Sequence, residues 1–313
     1  LTPNIQAYEH DIWRIDTAYV ADGVAACYLI HSAGQYALVE CGTGLSVEPI
    51  LAALDALGVE RDALRYIIPT HVHLDHAGGA GGLMQALPRA ELHVHPRGLR
   101  HLVDPSKLLA GAMAVYGEDS FKRLNGEILA CPQARSFAAE DGTQLDLAGR
   151  ALHLLDAPGH AKHHLVVWDE RSQGFFTGDV FGLGYPQLDI NQQTFIVPTT
   201  TPVQFDPQAW HQTLSKMAAY APRYMYLTHY GRVENPAMLS EQLARRLDAH
   251  AALGERWADL SEEQLATKLG DALFAEYQDA GGREVREVFD RVLGMDLNLN
   301  AQGLLFWQQH KAA

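Results

Sequence analysis

His71-Val72-His73-Leu74-Asp75-His76 puts four potential metal ligands into six residues. The stretch follows Tyr66-Ile67-Ile68, a short apolar run that reads as a buried strand ending at Pro69-Thr70. Buried polar groups at this density need something to satisfy them, and imidazole with carboxylate is what a borderline divalent metal selects. In an extended stretch His71 and His73 point the same way. The turn after them aims Asp75 and His76 at a second point nearby, so the spacing suits two adjacent metals. A histidine-rich surface loop is the plain alternative. Against it, groups of the same kind recur after later strand candidates: Pro158-Gly159-His160, Gly178-Asp179 and Thr228-His229-Tyr230-Gly231.

On the N-terminal side the spacing predicts strands at Ile12–Ile15, Ala25–Ile30 and Tyr36–Glu40, then a turn at Gly42-Thr43-Gly44. Val47, Ile50, Leu51, Leu54 and Leu57 share one face of a helix over 46–57. A helix over 77–87 and a strand at Glu91–His95 follow, then a helical insertion over 104–132. Strands resume at 143–147, 151–155, 164–168, 174–177 and 224–227, with a helix over 206–220 opened by Asp206-Pro207. After residue 236 no strand candidate remains; Ser261-x-x-Gln264 opens a helix as a capping box, and 283–293 reads as another. The sequence therefore divides into 1–236, a mixed strand–helix domain, and 237–313, a helical region.

The 313 residues, 47% hydrophobic and 20% charged, have the ordinary globular mix, which excludes a disordered tail, a collagen and a coiled coil. A net charge of −14 repels polyanions, so neither nucleic acid nor an anionic membrane is an expected partner. There is no uninterrupted apolar run of about 18 residues to span a bilayer. Cys27, Cys41 and Cys131 share no C-x-x-C spacing and read as reduced and buried, which suits the cytoplasm.

The order H-x-H-x-D-H, then His, Asp and His, resembles the signature of the metallo-β-lactamase superfamily. The matching residues are His71, His73, Asp75, His76, His160, Asp179 and His229, and the resemblance covers roughly residues 10 to 232. It includes Leu38–Gly44, where Glu40 stands at a position usually held by Asp in the family. The resemblance implies an α/β fold, the αββα sandwich with metals on one edge, here with a C-terminal helical extension. It implies His71, His73 and His160 at a first metal, Asp75, His76 and His229 at a second, and Asp179 bridging them. Two divalent metals about 3.5–4 Å apart can hold a hydroxide between them and bring its pKa toward neutrality. Asp75 would orient that nucleophile or pass a proton to the leaving group. By the same resemblance His164 supports the metal ligands from behind, and Glu40 takes a similar place.

The segment after Asp179 must lie close to the metals; Phe181 and Tyr185 in it are candidate pocket walls, and Met113 and Tyr116 are a second wall. Tyr185 or Tyr230 could donate to a developing oxyanion; packing is the alternative for each. His163 is expected to point away from the metals, and His93 and His95 to be structural. Phe306 and Trp307 are expected to pack the helical region, with covering the site or a homodimer contact as alternatives.

Within the superfamily, the charge disfavours nucleic-acid processing. Glyoxalase-II-like thioesterases share both the ligand set and a helical C-terminal region, and lactone hydrolases share the ligands. The expectation is a dinuclear hydrolase of a small ester, thioester or lactone, with zinc as the metal and iron or manganese as alternatives. An iron-dependent oxidoreductase similar to persulfide dioxygenases is the alternative of a different class. A binding or signalling protein with a little-used site is the third.

Overall fold

Apolar runs near the N-terminus become four antiparallel strands in the computed structural model: β1 (Ile5–Tyr8), β2 (Ile12–Asp16), β3 (Ala26–Ser32) and β4 (Gln35–Val39). The structure describes residues 2–201 and 203–311, without the side chains of 112 and 114–116. The sheet then continues in parallel through β5 (Leu64–Ile68), β6 (Glu91–Val94) and β7 (Ser136–Ala138). A parallel neighbour needs a crossover connection, and helices supply each one. They are α1 (Val47–Ala56), then α2 (Leu74–Ala77) with α3 (Ala80–Ala86), then α4 (Pro96–Val103), α5 (Ser106–Tyr116) and α6 (Glu118–Asn125). The seven strands lie in chain order. Ile50 and Leu54 of α1, Leu83 and Met84 of α3, and Leu102 of α4 join Leu29, Leu38, Ile67 and Leu92 of the sheet in one buried cluster.

A second, antiparallel sheet contains β8 (Thr143–Leu147), β9 (Arg150–Asp156), β10 (Leu165–Asp169) and β11 (Gly174–Phe176). All five residues of β10 are buried. Polar bonds tie this sheet to the first: Tyr66 Oη donates to the Asp146 carbonyl at 3.1 Å, and Arg150 Nη1 donates to the carbonyls of His10 and His31 at 2.7 and 3.0 Å. The arrangement is the α/β sandwich expected from the sequence, and the chain ends in helices.

By packing, the chain divides into two compact units. The first contains the chain up to Asp156, His163–Gly178 and Thr228–Gly231, and so both sheets as just described. The second contains Ala157–Lys162, Asp179–Leu227 and the chain from Arg232 on. In it α7 (Pro207–Ala218) begins as the sequence predicts, with Asp206 accepting from Ala209 N at 3.0 Å and Pro207 in the first turn. The strand β12 (Tyr224–Leu227) follows; β13 (Gly231–Val233) is the last strand among the described residues, and α8 (Pro236–Arg256) begins where strand candidates ran out. The capping box at Ser261 opens α9 (Glu262–Asp279), with Ser261 N donating to Gln264 Oε1 at 3.0 Å. Helix α10 (Arg286–His310) is longer than predicted and absorbs Leu304–Trp307 into its last turns. Phe195, Phe274, Tyr277 and Phe289 form an aromatic cluster, with the Arg246 guanidinium over Phe195. Among the described residues no helix is long and apolar enough to cross a membrane.

His250 on α8 is buried, and neither ring nitrogen has a hydrogen-bond partner. Burial, with Arg246 adding and Glu276 opposing, lowers its pKa to about 4. Between pH 4 and about 6.5 the unfolded chain therefore binds a proton that the folded chain refuses, so stability falls as pH drops through that window. A shift of this size corresponds to about 3 kcal/mol. His250→Leu should remove that slope and gain roughly 1–3 kcal/mol by deleting two unsatisfied nitrogens. Urea midpoints at pH 5 and 7.5 test this; an unchanged difference between the two pH values would refute it.

Candidate metal centre

In the first unit the end of β5 delivers Thr70 and His71, and the short helix α2 carries Asp75 and His76 in its single turn. The His71 and His73 rings converge, Nε2 to Nδ1, at 2.9 Å. Asp75 Oδ2 lies 3.5 Å from His76 Nε2 and 3.4 Å from His229 Nε2. Ligand atoms of Asp75, His76 and His229 all fall within 4.8 Å of one another. In the second unit His160 Nε2 lies 3.3 Å from Asp179 Oδ2. His71, His76, His160, His229 and Asp179 are buried, while Asp75 keeps partial exposure.

Within each unit the hydrogen-bond partners fix where the protons sit. A neutral imidazole has one donor and one acceptor nitrogen. His76 Nδ1 faces Glu40 Oε1 at 3.0 Å, His160 Nδ1 the Thr199 carbonyl at 2.8 Å, and His229 Nδ1 the Val24 carbonyl at 2.7 Å. Each partner is an acceptor, so each Nδ1 carries the hydrogen and each Nε2 presents a lone pair. The Thr70 hydroxyl gives its proton to Glu40 Oε1 at 2.6 Å, so its oxygen can accept from His71 Nδ1 at 3.1 Å. His71 Nε2 is then an acceptor too. Lone pairs of His76, His229 and His160 thus face carboxylate oxygens. Within each unit, electron-rich atoms face one another in this way when a cation lies between them, and each donor set fits a divalent metal.

Glu40 organises the ligand group of the first unit. It has a positive φ of 69° at the end of β4 and is buried. Its carboxylate accepts from Thr70 N at 3.0 Å, the Thr70 hydroxyl, His76 Nδ1 and the Thr228 hydroxyl at 2.9 Å. His164 is fully buried and stacks on His71 with centroids 4.8 Å apart. Gly178, φ 51°, passes so close that a Cβ there would lie 2.3 Å from Thr70 Oγ1 and 2.6 Å from His164 Nε2.

His163 differs from expectation. Its ring stacks 6.1 Å from His71 and meets His73 edge-on at 5.6 Å, so it lies beside the cluster. His95 caps α4 by accepting from Arg97 N and faces Asp156 at 3.0 Å; His93 stacks on Phe137.

The Tyr230 hydroxyl donates to Asp16 Oδ2 at 2.9 Å, with Arg14 over the ring. Burial, with Asp16 adding, pushes its phenol above the usual range. Donation to an oxyanion would require that bond to open. Tyr185 is buried, its hydroxyl 3.5 Å from Asp296 Oδ1, and Phe181 is buried as well. Met113 is half-buried on α5, and the side chain of Tyr116 lies outside the described residues. Trp307 packs edge-on against Phe205.

Sequence reasoning missed Thr70, Thr199 and Thr228. The dipeptide Thr-His at the ends of two strands, Thr70-His71 and Thr228-His229, was the available signal.

A family model described as the metallo-beta-lactamase superfamily matches residues 20–229. The metallo-beta-lactamase fold-containing protein ST1585 of Sulfurisphaera tokodaii is 29% identical over 59% of this chain and 67% of its own length. A hydroxyacylglutathione hydrolase of Methylococcus capsulatus is 28% identical over 51% of this chain, which spans half of that relative's length. An atrochrysone carboxyl ACP thioesterase of Aspergillus fumigatus is 24% identical over 66% of this chain and 51% of its own. The solved structure of a metallo-beta-lactamase family protein from Thermus thermophilus aligns with a TM-score of 0.65 at 20% identity, covering 100% of this chain and 93% of that one, a likeness of fold. With two thirds of its length inside the family model and its sheets in the matching fold, this chain belongs to the metallo-beta-lactamase superfamily.

Proposed function

We propose that the protein is a metal-dependent hydrolase of small carbonyl esters, with thioesters first among them and esters and lactones beside them. One observation carries the reading: histidine after histidine has its Nδ1 hydrogen held by a fixed acceptor and its Nε2 lone pair turned toward a carboxylate. The names of two relatives, a hydroxyacylglutathione hydrolase and an acyl-carrier thioesterase, support the thioester choice. We assign His71, His73 and His160 to one divalent ion, Asp75, His76 and His229 to a second, and Asp179 to both, with zinc as the metal. When bound, such a pair supplies a nucleophile at neutral pH and polarises the carbonyl.

The chain's own residues do the rest. Glu40, Thr70 and the Val24 and Thr199 carbonyls fix ring tautomers and orientations, so no reorganisation is needed as charge develops. Asp75, the partly exposed carboxylate, is assigned to hold a proton and return it to the leaving group. Phe181, Tyr185 and Met113 are assigned to the substrate pocket. Residues 1–236 are read as the domain holding the ligands, and 237–313 as the helical region. The three buried free cysteines support a reducing compartment, the cytoplasm, and the charge of −14 supports a small-molecule partner over nucleic acid.

Elemental analysis of protein purified without added metal tests the reading. About two zinc or manganese ions per chain, with release of thiol from a thioester panel, is the expected result. A single iron with oxygen uptake on persulfides would replace it with the oxidoreductase alternative.

A further inference from the structure

We propose that Asn300, far along the C-terminal helix α10, is a positioning residue for His160 and acts through the segment 198–200. The inference rests on the reading of His160 and Asp179 as metal ligands. All the residues involved belong to the second unit.

Asn300 is buried and uses both ends of its amide. Its Oδ1 accepts from Thr200 N at 2.6 Å, and its Nδ2 donates to the Pro198 carbonyl at 2.9 Å. The Thr200 hydroxyl donates to the Asn300 carbonyl at 3.2 Å. The side chain thus takes the place that a neighbouring strand would take for an extended segment. Aspartate would keep the acceptor and lose the donor; leucine would lose both. One turn on, a Cβ at Gly303 would lie 1.7 Å from the Thr200 carbonyl oxygen, so the helix backbone itself rests on the segment.

Between the two anchored residues sits Thr199, which faces the other way. Its carbonyl accepts from His160 Nδ1 at 2.8 Å, and its hydroxyl donates to the Asp179 carbonyl at 3.0 Å. The Thr199 carbonyl fixes which His160 nitrogen carries the hydrogen, and so directs Nε2 at Asp179 Oδ2. Asn300 holds the residues on both sides of that carbonyl. Without it, Thr200 N–H and the Pro198 carbonyl are buried without their partner, the segment relaxes, and His160 loses a fixed acceptor. On this account the helical C-terminus is part of the scaffold of one metal position.

Chelator-competition titration with zinc on the full chain tests this, comparing wild type, Asn300→Ala and Leu293→Ala. Leu293 is a buried residue of the same helix, and its truncation controls for stability loss. Asn300→Ala should weaken one metal position by about 10–100-fold and leave the other unchanged. Leu293→Ala should lower the melting temperature while both affinities stay at wild type. In a His160→Ala background, Asn300→Ala should have no further effect on the remaining position. If Asn300→Ala does not fold, Thr200→Ala, which removes only the hydroxyl bond to the helix, should weaken the same position by a few-fold. An Asn300→Ala isotherm that superimposes on wild type while stability falls would make Asn300 merely structural and overturn the proposal. A wild-type chain that binds no zinc would overturn the metal reading itself, and the role of Asn300 with it.

Discussion

Asp179→Ala is expected to carry about one metal ion fewer per chain and to lose hydrolysis by more than roughly 10²–10³-fold, the usual cost of deleting a single oxyanion donor. Asp179 is buried and its Oδ2 faces the His160 Nε2 lone pair at 3.3 Å. Removing the carboxylate removes the anionic ligand assigned to both metal positions. The backbone at this position has its own supports: its carbonyl accepts from Gly182 N at 2.8 Å and from the Thr199 hydroxyl at 3.0 Å. The loop should therefore keep its course, and the loss should be one of chemistry rather than folding. Metal content by elemental analysis, thioester turnover and a melting curve on the same preparation separate the two. A variant with wild-type metal content and turnover would sink the assignment of Asp179.

The candidate ligands were legible because metal chemistry demands particular side chains, and the fold presents them where strand runs end. His71 after Tyr66–Ile68, His229 after Tyr224–Leu227 and Asp179 after the 174–177 run could all be read this way. What holds the rings was half legible. Thr70 and Thr228 stand directly before histidines, but the Val24 and Thr199 carbonyls are backbone groups with no sequence signature. His163 departs from its expectation because it precedes β10, where strand alternation does not yet apply: both His163 and His164 stack toward His71. The α8 helix was not separated from the general helical texture, since Asn235 in the left-handed region and Pro236 mark its start only once the backbone is seen. Asn300 left a faint sign. It interrupts the buried stripe Leu293, Leu297, Ala301, Leu304 of α10, and a polar residue inside such a stripe needs a partner. No pattern said which partner, because contacts a hundred residues apart in sequence are fixed by packing.

Arg150→Met should cost about 3–5 kcal/mol of stability. Arg150 and Asp169 are both essentially inaccessible, and they pair through two hydrogen bonds, Nε to Oδ1 at 2.8 Å and Nη2 to Oδ2 at 2.6 Å. The remaining Nη1 joins the carbonyls of His10 and His31, so one guanidinium serves two sheets. Removing it leaves a carboxylate and two carbonyls buried without that donor. The pH dependence has a definite sign. Burial alone would raise the Asp169 carboxyl, but the bonds and charge of Arg150, with Ser172, overcome it and hold the group low. In the wild type this stabilisation is present above the ordinary carboxyl pKa near 4 and is lost as pH falls through the lower folded value. In Arg150→Met burial acts unopposed by the guanidinium and the folded pKa rises above the ordinary value, so the stability deficit should grow as pH rises from the wild-type folded value, past about 4, to the variant's raised one, and shrink in acid. Urea unfolding at pH 4 and pH 7.5 reads both effects. The double variant Arg150→Met with Asp169→Leu should recover part of the loss, since no lone charge remains, but not all. Ser172 N, which donates to Asp169 Oδ2 at 3.1 Å, would still lose its acceptor, and the two carbonyls would still lose Nη1. A single variant within about 1 kcal/mol of wild type, or one destabilised equally at both pH values, would mean that the pair is not what joins these sheets.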